Sequence, residues 1–315
     1  MNVLLRAGLA ALLLAFAAAP AIAPAAAQPP AATAQAPAQR SFATPELGAD
    51  TLTKALRDND DKTVAAILGA NWRDFVPGTR AEEDRQRASF LKSWDEGHKI
   101  VLNDKGDRAL VQIGKTGYVM PIPLVKEAAG WHFDGKAGRA EIQARYIGRN
   151  ELTAVQTLLA IGDAERDYAA QDPMKTGSPV FARRLLSSPG NKDGLYWPTR
   201  PGEPESPLGA LVAHAQVDVK EGGGYFGYHY RLLYGQGPDA PGGAYPYLVN
   251  GRMIGGFAAI AWPVKYGDTG VMTFIVSHSG QVYEQDLGPD TAQRAGNIAV
   301  FNPDSKWQKS DMTPP

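Results

Sequence analysis

The feature that most constrains the fold is a stretch, residues 225–288, in which apolar and polar residues alternate with a period of two. Tyr225, His229 and Arg231 fall on one face of its opening segment, YFGYHYRLLYG. The other face carries the larger apolar set: Phe226, Tyr228, Tyr230, Leu232 and Tyr234. Such alternation is typical of β-strands with one buried face, so we predict an antiparallel sheet here.

Two dipeptides predict hairpin turns within this sheet. Asn250-Gly251 separates the segments AYPYLV and RMIGGFAA, and it can supply the two positive φ values of a tight turn. Ser279-Gly280 separates GVMTFIVS from QVYEQDL, and Met272, Phe274 and Val276 then share one side of a strand. The sheet is therefore predicted to contain at least two hairpins.

A long helix is predicted in front of the sheet, over residues 137–171. Its apolar stripe contains Leu152, Val155, Leu158, Leu159 and Tyr168, and Glu165 is predicted on the polar side. At a rise of 1.5 Å per residue this helix would be about 50 Å long. Gly148 and Asn150 are the positions at which a kink or break would fall. A long helix against an antiparallel sheet indicates an α+β domain, which we assign to residues 137–310.

The preceding part, residues 42–136, predicts a second and smaller α+β domain. Two short helices are expected over residues 48–69, divided at Asn59-Asp60, and a third over residues 81–96. A three-stranded antiparallel meander should follow, over residues 108–113, 118–123 and 131–133. This helix-plus-meander arrangement resembles the NTF2-like and cystatin-like modules.

The N-terminal residues indicate export. Residues 1–27 combine Arg6, an apolar run and small residues at Ala25 and Ala27, which is the pattern of a cleaved signal peptide. Residues 28–41 are rich in Ala, Pro and Gln and predict a disordered linker, and residues 311–315 predict a short tail. We therefore expect a periplasmic or secreted protein without a membrane span after cleavage.

Three phrases carry a resemblance to a known family: "DGLYWP" from Asp193, "GYHYRLLYGQGP" from Gly227 and "NGRMIGGFA" from Asn250. They resemble the secreted bacterial proteins of domain-of-unknown-function family 2950, which has no established activity. The predicted helix and sheet also resemble the heads of type IV pilins and pseudopilins. In those proteins the first half of the helix is apolar, whereas here it contains Glu141 and Arg145. Pilin-like filament formation is therefore not expected.

Composition excludes several classes of function. The net charge is −1 and no basic run occurs, so nucleic acid is not an expected partner. The chain has no cysteine, which excludes disulfides, cysteine nucleophiles and thiolate metal sites. Its five histidines show no metalloprotease spacing. We assign no catalytic residue, no metal and no cofactor.

The best candidates for a ligand-binding face are aromatic and cationic side chains of the second domain, since such residues dominate recognition surfaces. They are Tyr196, Trp197, Tyr225, His229, Arg231 and His278. Packing of these aromatic residues in the core is the competing interpretation.

The leading functional hypothesis is an exported envelope protein that binds an envelope protein or a glycan without catalysis. One alternative is a periplasmic hydrolase that uses His229 and His278 across the sheet. Another is a soluble pseudopilin-like component of a secretion system. The sequence identifies no ligand, no substrate and no oligomeric state.

Overall fold

The structure is a computed structural model that describes residues 39–76, 78–211 and 224–312. Helices and antiparallel sheets both occur, which confirms the predicted α+β class. The helices are α1 Pro45–Arg57, α2 Asp61–Leu68, α3 Arg80–Glu96, α4 Gly135–Gln171 and α5 Thr291–Gly296, with a short 3-10 helix at Trp72–Phe75. The predicted signal peptide and most of the predicted linker lie outside the described residues.

The first sheet is formed by five strands in the N-terminal part, in the order β1-β2-β4-β5 with β3 also paired to β2. The strands are β1 His98–Leu102, β2 Arg108–Ile113, β3 Tyr118–Val119, β4 Leu124–Glu127 and β5 Gly130–Phe133. Of the strand predicted over residues 118–123, only Tyr118–Val119 forms, because Pro121 and Pro123 have no N–H to donate to a neighbouring strand. Strand β4 begins at Leu124, outside the predicted range. Strand β1 was not predicted from the sequence.

Helices α1 to α3 pack on this sheet and agree with the predicted segments. The break between α1 and α2 occurs at Asn59, whose φ is 55°, and the Asp60 side chain then caps α2 by accepting from the Thr63 N–H. Thr79 caps α3 in a reciprocal arrangement with Glu82. Local capping chemistry therefore sets these boundaries.

Helix α4 is continuous over 37 residues, and it runs through Gly148 and Asn150 without interruption. Its first half packs against the 3-10 helix of the N-terminal part, and an added Cβ at Gly138 would lie 2.8 Å from Ile122. Its second half contacts the second sheet.

The prediction that Glu165 lies on the polar side is wrong, because that residue is fully buried. In the three described ranges, no helix combines the length and the apolar character needed to cross a membrane.

The second sheet has the order β14-β13-β12-β11-β6, and every neighbouring pair is antiparallel. The remaining strands are β6 Tyr228–Leu233, β7 Gly235–Gln236, β8 Tyr245–Pro246, β9 Leu248–Val249, β10 Arg252–Met253, β11 Ala258–Pro263, β12 Met272–Ser277, β13 Val282–Asp286 and β14 Gln308–Lys309. Asn250 and Gly251 have φ values of 48° and 76° and join β9 to β10, as the hairpin prediction requires.

Both faces of the second sheet are covered, whereas the sequence predicted one buried face. Tyr228, Leu232 and Phe274 share a core with α4, and Leu233 and Ile275 belong to a core on the opposite face. The interior strand β11, AAIAWP, is accordingly almost wholly buried.

Two side chains predicted on the buried face of β6 are exposed. Phe226 has a φ of 46° in the turn before β6, and Tyr234 follows the last residue of the strand. Neither residue is part of the regular strand, so the period-two rule does not place their side chains. The long helix does lie against an antiparallel sheet, while the likeness to pilin heads and the domain boundary near residue 137 stay predictions.

Candidate functional site

Tyr196 and Trp197 lie in the long connection between α4 and β6. Trp197 is 6% exposed, and its ring packs edge-on against Tyr168 of α4, with ring centroids 6.4 Å apart. Tyr196 is half-buried and its backbone bonds to Leu185 and Ser187. The Trp197 side chain is part of the core, as in the competing interpretation of these aromatic residues.

Tyr225 and His229 lie at the start of the second sheet. The Tyr225 ring packs edge-on against Phe226 at 4.7 Å, and Tyr225 bridges to Tyr228 through the backbone. The His229 ring lies 5.4 Å from the Trp262 ring, and desolvation by burial lowers the pKa of this imidazole. His229 is therefore a neutral, packed side chain at pH 7.

Arg231 binds the C-terminal end of α5. Its Nη2 donates to the carbonyl oxygens of Ala295 at 3.0 Å and Ile298 at 2.8 Å, and its guanidinium lies 5.9 Å from the Trp262 ring. The last carbonyls of a helix have no partners within the helix, and a cation there also interacts favourably with the helix dipole. This contact gives Arg231 a structural role.

His229 and His278 are not brought together. In the sheet register, His229 of β6 pairs with Trp262 of β11, and Ala261 of β11 pairs with Phe274 of β12. Trp262 is therefore opposite position 273 of β12, and His229 is level with that position. His278 follows the end of β12, about five residues beyond that position, which at about 3.3 Å per residue is about 16 Å along the strand. The His278 ring packs instead against Tyr247, at 5.6 Å. In the described part of the chain, no three His, Asp or Glu side chains form a cluster that could hold a metal ion.

The feature best suited to hold a ligand is a cavity of about 460 Å³ in the N-terminal part of the chain. It lies between α3, the first sheet and the start of α4, and we call it the α3 pocket. Apolar side chains form most of its wall: Leu52, Leu56, Leu68, Trp72, Phe75, Val76, Phe90, Ile113, Tyr118, Met120, Pro121, Ile122 and Ile142. Polar side chains in the wall are Glu83, Gln86, Arg87, Ser89 and Ser93.

The composition of α3 explains why this space is not filled. The helix buries three side chains, of which Glu83 and Arg87 are charged and Trp94 is apolar. Ser89 and Ser93 line the pocket at a spacing of one helical turn, where a helix that packs on a core usually carries larger apolar residues. Two short side chains therefore leave open space above an apolar floor.

The charged groups in the pocket wall are already bound to one another. Arg87 Nη2 donates to Glu83 Oε1 at 3.1 Å and to Asp61 Oδ1 at 3.2 Å, and Arg87 Nη1 donates to Asn59. Arg80 Nη1 also donates to Glu83 Oε1, at 3.1 Å. Since buried charges are stable only when paired and hydrogen-bonded, this network neutralises one end of the pocket and leaves no free charge there.

Sequence reasoning missed the α3 pocket and placed its candidates in the other half of the chain. One signal was present in the sequence: the segment RAEEDRQRASFLKSWDE has strong helix capping but few apolar residues for a helix that must cover a sheet. That mismatch between a stable helix and a weak apolar stripe indicates an incompletely filled core.

Among the comparisons with known proteins, one gives a match, and it is to a family model. No curated protein and no solved structure matches the chain. A family model matches residues 39–310, which include the α3 pocket, both sheets and the three phrases noted in the sequence. The chain therefore belongs to the family described as "Protein of unknown function (DUF2950)".

Proposed function

We propose that this protein is an exported, non-enzymatic binding protein of the cell envelope, and that the α3 pocket holds its ligand. The observation that carries the proposal is the 460 Å³ cavity with an apolar floor and short polar side chains at its α3 wall. Small-molecule sites are typically concave, mostly apolar and provided with a few polar groups that orient the ligand.

The chemistry of the wall selects the class of ligand. Apolar residues from α1, α2, the 3-10 helix, β2 and α4 would surround a hydrocarbon body and remove it from water. The charges of Glu83 and Arg87 are compensated within the protein, so a charged head group would lose its hydration without gaining a free counter-ion. The ligand that fits is a hydrocarbon chain with an uncharged polar end.

The α3 side of the pocket has hydrogen-bond donors and acceptors that can bind the polar end of such a ligand. Ser89, Ser93 and Gln86 present hydroxyl and amide groups on α3. These groups can exchange hydrogen bonds with a hydroxyl-bearing head. A monoacylglycerol has this combination of an acyl chain and a neutral, hydroxylated head.

The place of action in this proposal rests on the N-terminal sequence. The signal-peptide pattern of residues 1–27 supports export, and an envelope location would bring the protein close to lipids. The proposal keeps the binding role predicted from the sequence and replaces the glycan by an apolar molecule. The aromatic side chains that the sequence offered as a ligand-binding face are packed in the protein.

The other two functions considered from the sequence gain no supporting geometry. A hydrolase that uses His229 and His278 requires both imidazoles in one site, and the register separates them. A pseudopilin-like role rests on the helix-and-sheet arrangement alone, and fold-level likeness does not establish a function.

Calorimetric titration with three probes of equal chain length tests the proposal: monolaurin, laurate and dodecylammonium. We expect saturable binding of monolaurin and weaker binding of the two charged probes. Ser89→Leu and Ser93→Leu each place a larger apolar side chain in the pocket and should displace about two methylene groups of the ligand, which would weaken binding about tenfold or more.

Ala88→Leu is the matched control, because Ala88 lies on the exposed surface of the same helix and receives the same side chain. It should bind monolaurin like the wild type. The proposal is wrong if the wild type shows no saturable binding of monolaurin. It is also wrong if Ser89→Leu and Ser93→Leu bind monolaurin as tightly as Ala88→Leu.

A further inference from the structure

A second, smaller cavity lies in the C-terminal part of the chain and has a different chemistry. Its volume is about 260 Å³, and it lies between the end of α4, the loop that follows and the β9–β10 hairpin. Tyr168, Val180, Phe181 and Met253 give it an apolar interior, and Arg183 and Arg252 lie in its wall. We call it the arginine pocket.

The two arginines come from distant segments and are each held in place by one hydrogen bond. Arg183 Nη1 donates to the carbonyl oxygen of Gly251 at 3.2 Å, so its guanidinium lies beside the residue that precedes Arg252. Arg252 Nη2 donates to Ser178 Oγ at 2.7 Å. Each guanidinium has five N–H groups, so most of its donors are still available to a ligand.

Neither arginine forms an ion pair with a carboxylate in the described part of the chain. This distinguishes them from Arg87 in the α3 pocket and from the neighbouring Arg184, whose Nε lies 3.3 Å from Asp193 Oδ2. Both side chains are exposed at the surface. Among the described residues, two cations without a carboxylate partner therefore lie at one small cavity.

Asp193 is the carboxylate in the pocket wall, and its oxygens are occupied. Its Oδ1 accepts from the Ser188 N–H at 2.7 Å, and its Oδ2 accepts from Ser188 Oγ at 3.0 Å and faces Arg184. Asp172, which lies nearby and interacts with Arg252 through space, accepts from the Thr176 and Gly177 N–H groups at 2.8 Å. These carboxylates are hydrogen-bonded within their own loops, and Lys175 and Lys192 add further positive charge to the same segments.

The Tyr168 hydroxyl adds a polar contact inside the cavity. It donates to the carbonyl oxygen of Lys192 at 2.6 Å, and the residue is 2% exposed. With its proton committed to that carbonyl, the phenolic oxygen can only accept a further hydrogen bond. An anion is thus expected at the arginine side of the pocket, and the tyrosine side suits a protonated or apolar part of the ligand.

We propose that the arginine pocket binds a small organic anion, with Arg183 and Arg252 holding a carboxylate or phosphate group and the apolar interior holding a compact body. Arginine's planar fork matches the geometry of both oxyanions, so the two sources share one recognition chemistry. The volume limits the body to about the size of one aromatic ring. This site is separate from the α3 pocket in location and in ligand class.

The experiment is calorimetric titration of the protein with benzoate, phenyl phosphate and benzamide. Benzamide keeps the ring and removes the charge, so it should show no saturable binding. Loss of one charge-assisted hydrogen-bond donor should weaken anion binding about tenfold, and we expect this for both Arg183→Gln and Arg252→Gln. Arg166→Gln is the matched control, because that exposed arginine of α4 is paired with Asp163 and lies outside the pocket.

Tighter binding of phenyl phosphate than of benzoate would assign the site to phosphate-bearing ligands, and the reverse order would assign it to carboxylates. Either order supports the proposal. It is wrong if neither anion binds the wild type at millimolar concentration, or if both glutamine variants keep the affinity of Arg166→Gln. Circular dichroism of the variants establishes that they are folded, and binding of monolaurin by the same samples shows whether the α3 pocket is intact.

Discussion

Glu165 differs from every other carboxyl group of α4 in its surroundings. It is fully buried, and its Oε2 accepts from the Ala182 N–H at 2.7 Å, while its Oε1 has no partner among the residues that the structure describes. Burial raises the pKa of this carboxyl from 4.5 to about 8. A group of this kind is protonated at neutral pH, because the cost of desolvating the charged form exceeds the benefit of one hydrogen bond.

This protonation makes stability depend on pH in a defined direction. The folded protein keeps a proton that the unfolded chain releases above pH 4.5, so the free energy of unfolding falls as pH rises towards about 8. Glu165→Gln removes the ionisation. Between about pH 5 and about pH 8 the variant should gain on the order of 4 kcal/mol relative to the wild type. Urea unfolding of both proteins across this range measures the difference.

Asp163→Asn is the control for this prediction, since Asp163 is an exposed residue of the same helix. Its stability should follow the wild type across the pH range. Unfolding free energies of Glu165→Gln that run parallel to those of the wild type would show that Glu165 titrates normally in the folded protein.

The roles of single residues were the part of the molecule least predictable from sequence. The apolar stripe of α4 was predicted correctly at Val155, Leu158 and Tyr168, but a charged residue at position 165 was assigned to solvent. Arg231 was a candidate ligand contact because of its chemical type, yet it binds a carbonyl oxygen at the end of α5. Both outcomes depend on which segments fold back over the residue, and a local pattern contains no information about that.

At the level of elements, capping and turn residues made the sequence informative. The Asn59-Asp60 break, the Asn250-Gly251 hairpin and the α3 start all follow from local hydrogen bonding or positive φ values. Strand β1 was missed because residues 98–102, HKIVL, do not alternate and four of the five are exposed. This segment forms a strand because it pairs with β2, and its own sequence pattern does not indicate one.

The capping box of α3 should support the wall of the α3 pocket. Thr79 Oγ1 accepts from the Glu82 N–H, and the Glu82 carboxylate accepts from the Thr79 N–H at 2.7 Å. Thr79→Ala removes the cap and should lower the free energy of unfolding by about 1 kcal/mol. Because α3 has few apolar contacts to hold it, we expect faster hydrogen exchange over the amides of its first turn.

Thr116→Ala is the control, since Thr116 is an exposed threonine in the turn before β3. It should leave both the unfolding free energy and the exchange of α3 unchanged. If Thr79→Ala and Thr116→Ala have equal effects, the box does not stabilise α3.

On the scale of the whole molecule, α4 connects two hydrophobic cores. Gly138 and Ile142 contact the N-terminal part, and the second half of the helix belongs to the core of the second sheet. Polar contacts reinforce this link: Gln143 Nε2 donates to the carbonyl oxygen of Asp268 at 2.6 Å, and Glu151 Oε1 accepts from the Val271 and Met272 N–H groups at 2.9 and 3.0 Å. A rigid helix shared by two cores should make them unfold together.

A proline in the middle of α4 tests this coupling. Gly148 is exposed, and beyond the adjacent backbone of α4 no atom of the described residues lies within 4 Å of an added Cβ, so a substitution there acts on the helix backbone and not on packing. Gly148→Pro should cost about 3 kcal/mol through the lost hydrogen bond and the clash with the preceding turn. The wild type should unfold in one calorimetric transition, and Gly148→Pro should unfold in two, because the cores no longer share a continuous helix.

Gly148→Ala is the matched control, and it should raise stability by about 0.5 to 1 kcal/mol because alanine favours the helix. Tryptophan fluorescence assigns the transitions: Trp72, Trp94 and Trp131 report on the N-terminal core, and Trp197 lies in the core shared with α4. Two transitions already present in the wild type would mean that the cores are independent and that the domain boundary predicted near residue 137 is also a boundary of cooperativity. A single transition in Gly148→Pro would mean that contacts other than the continuous helix couple the two cores.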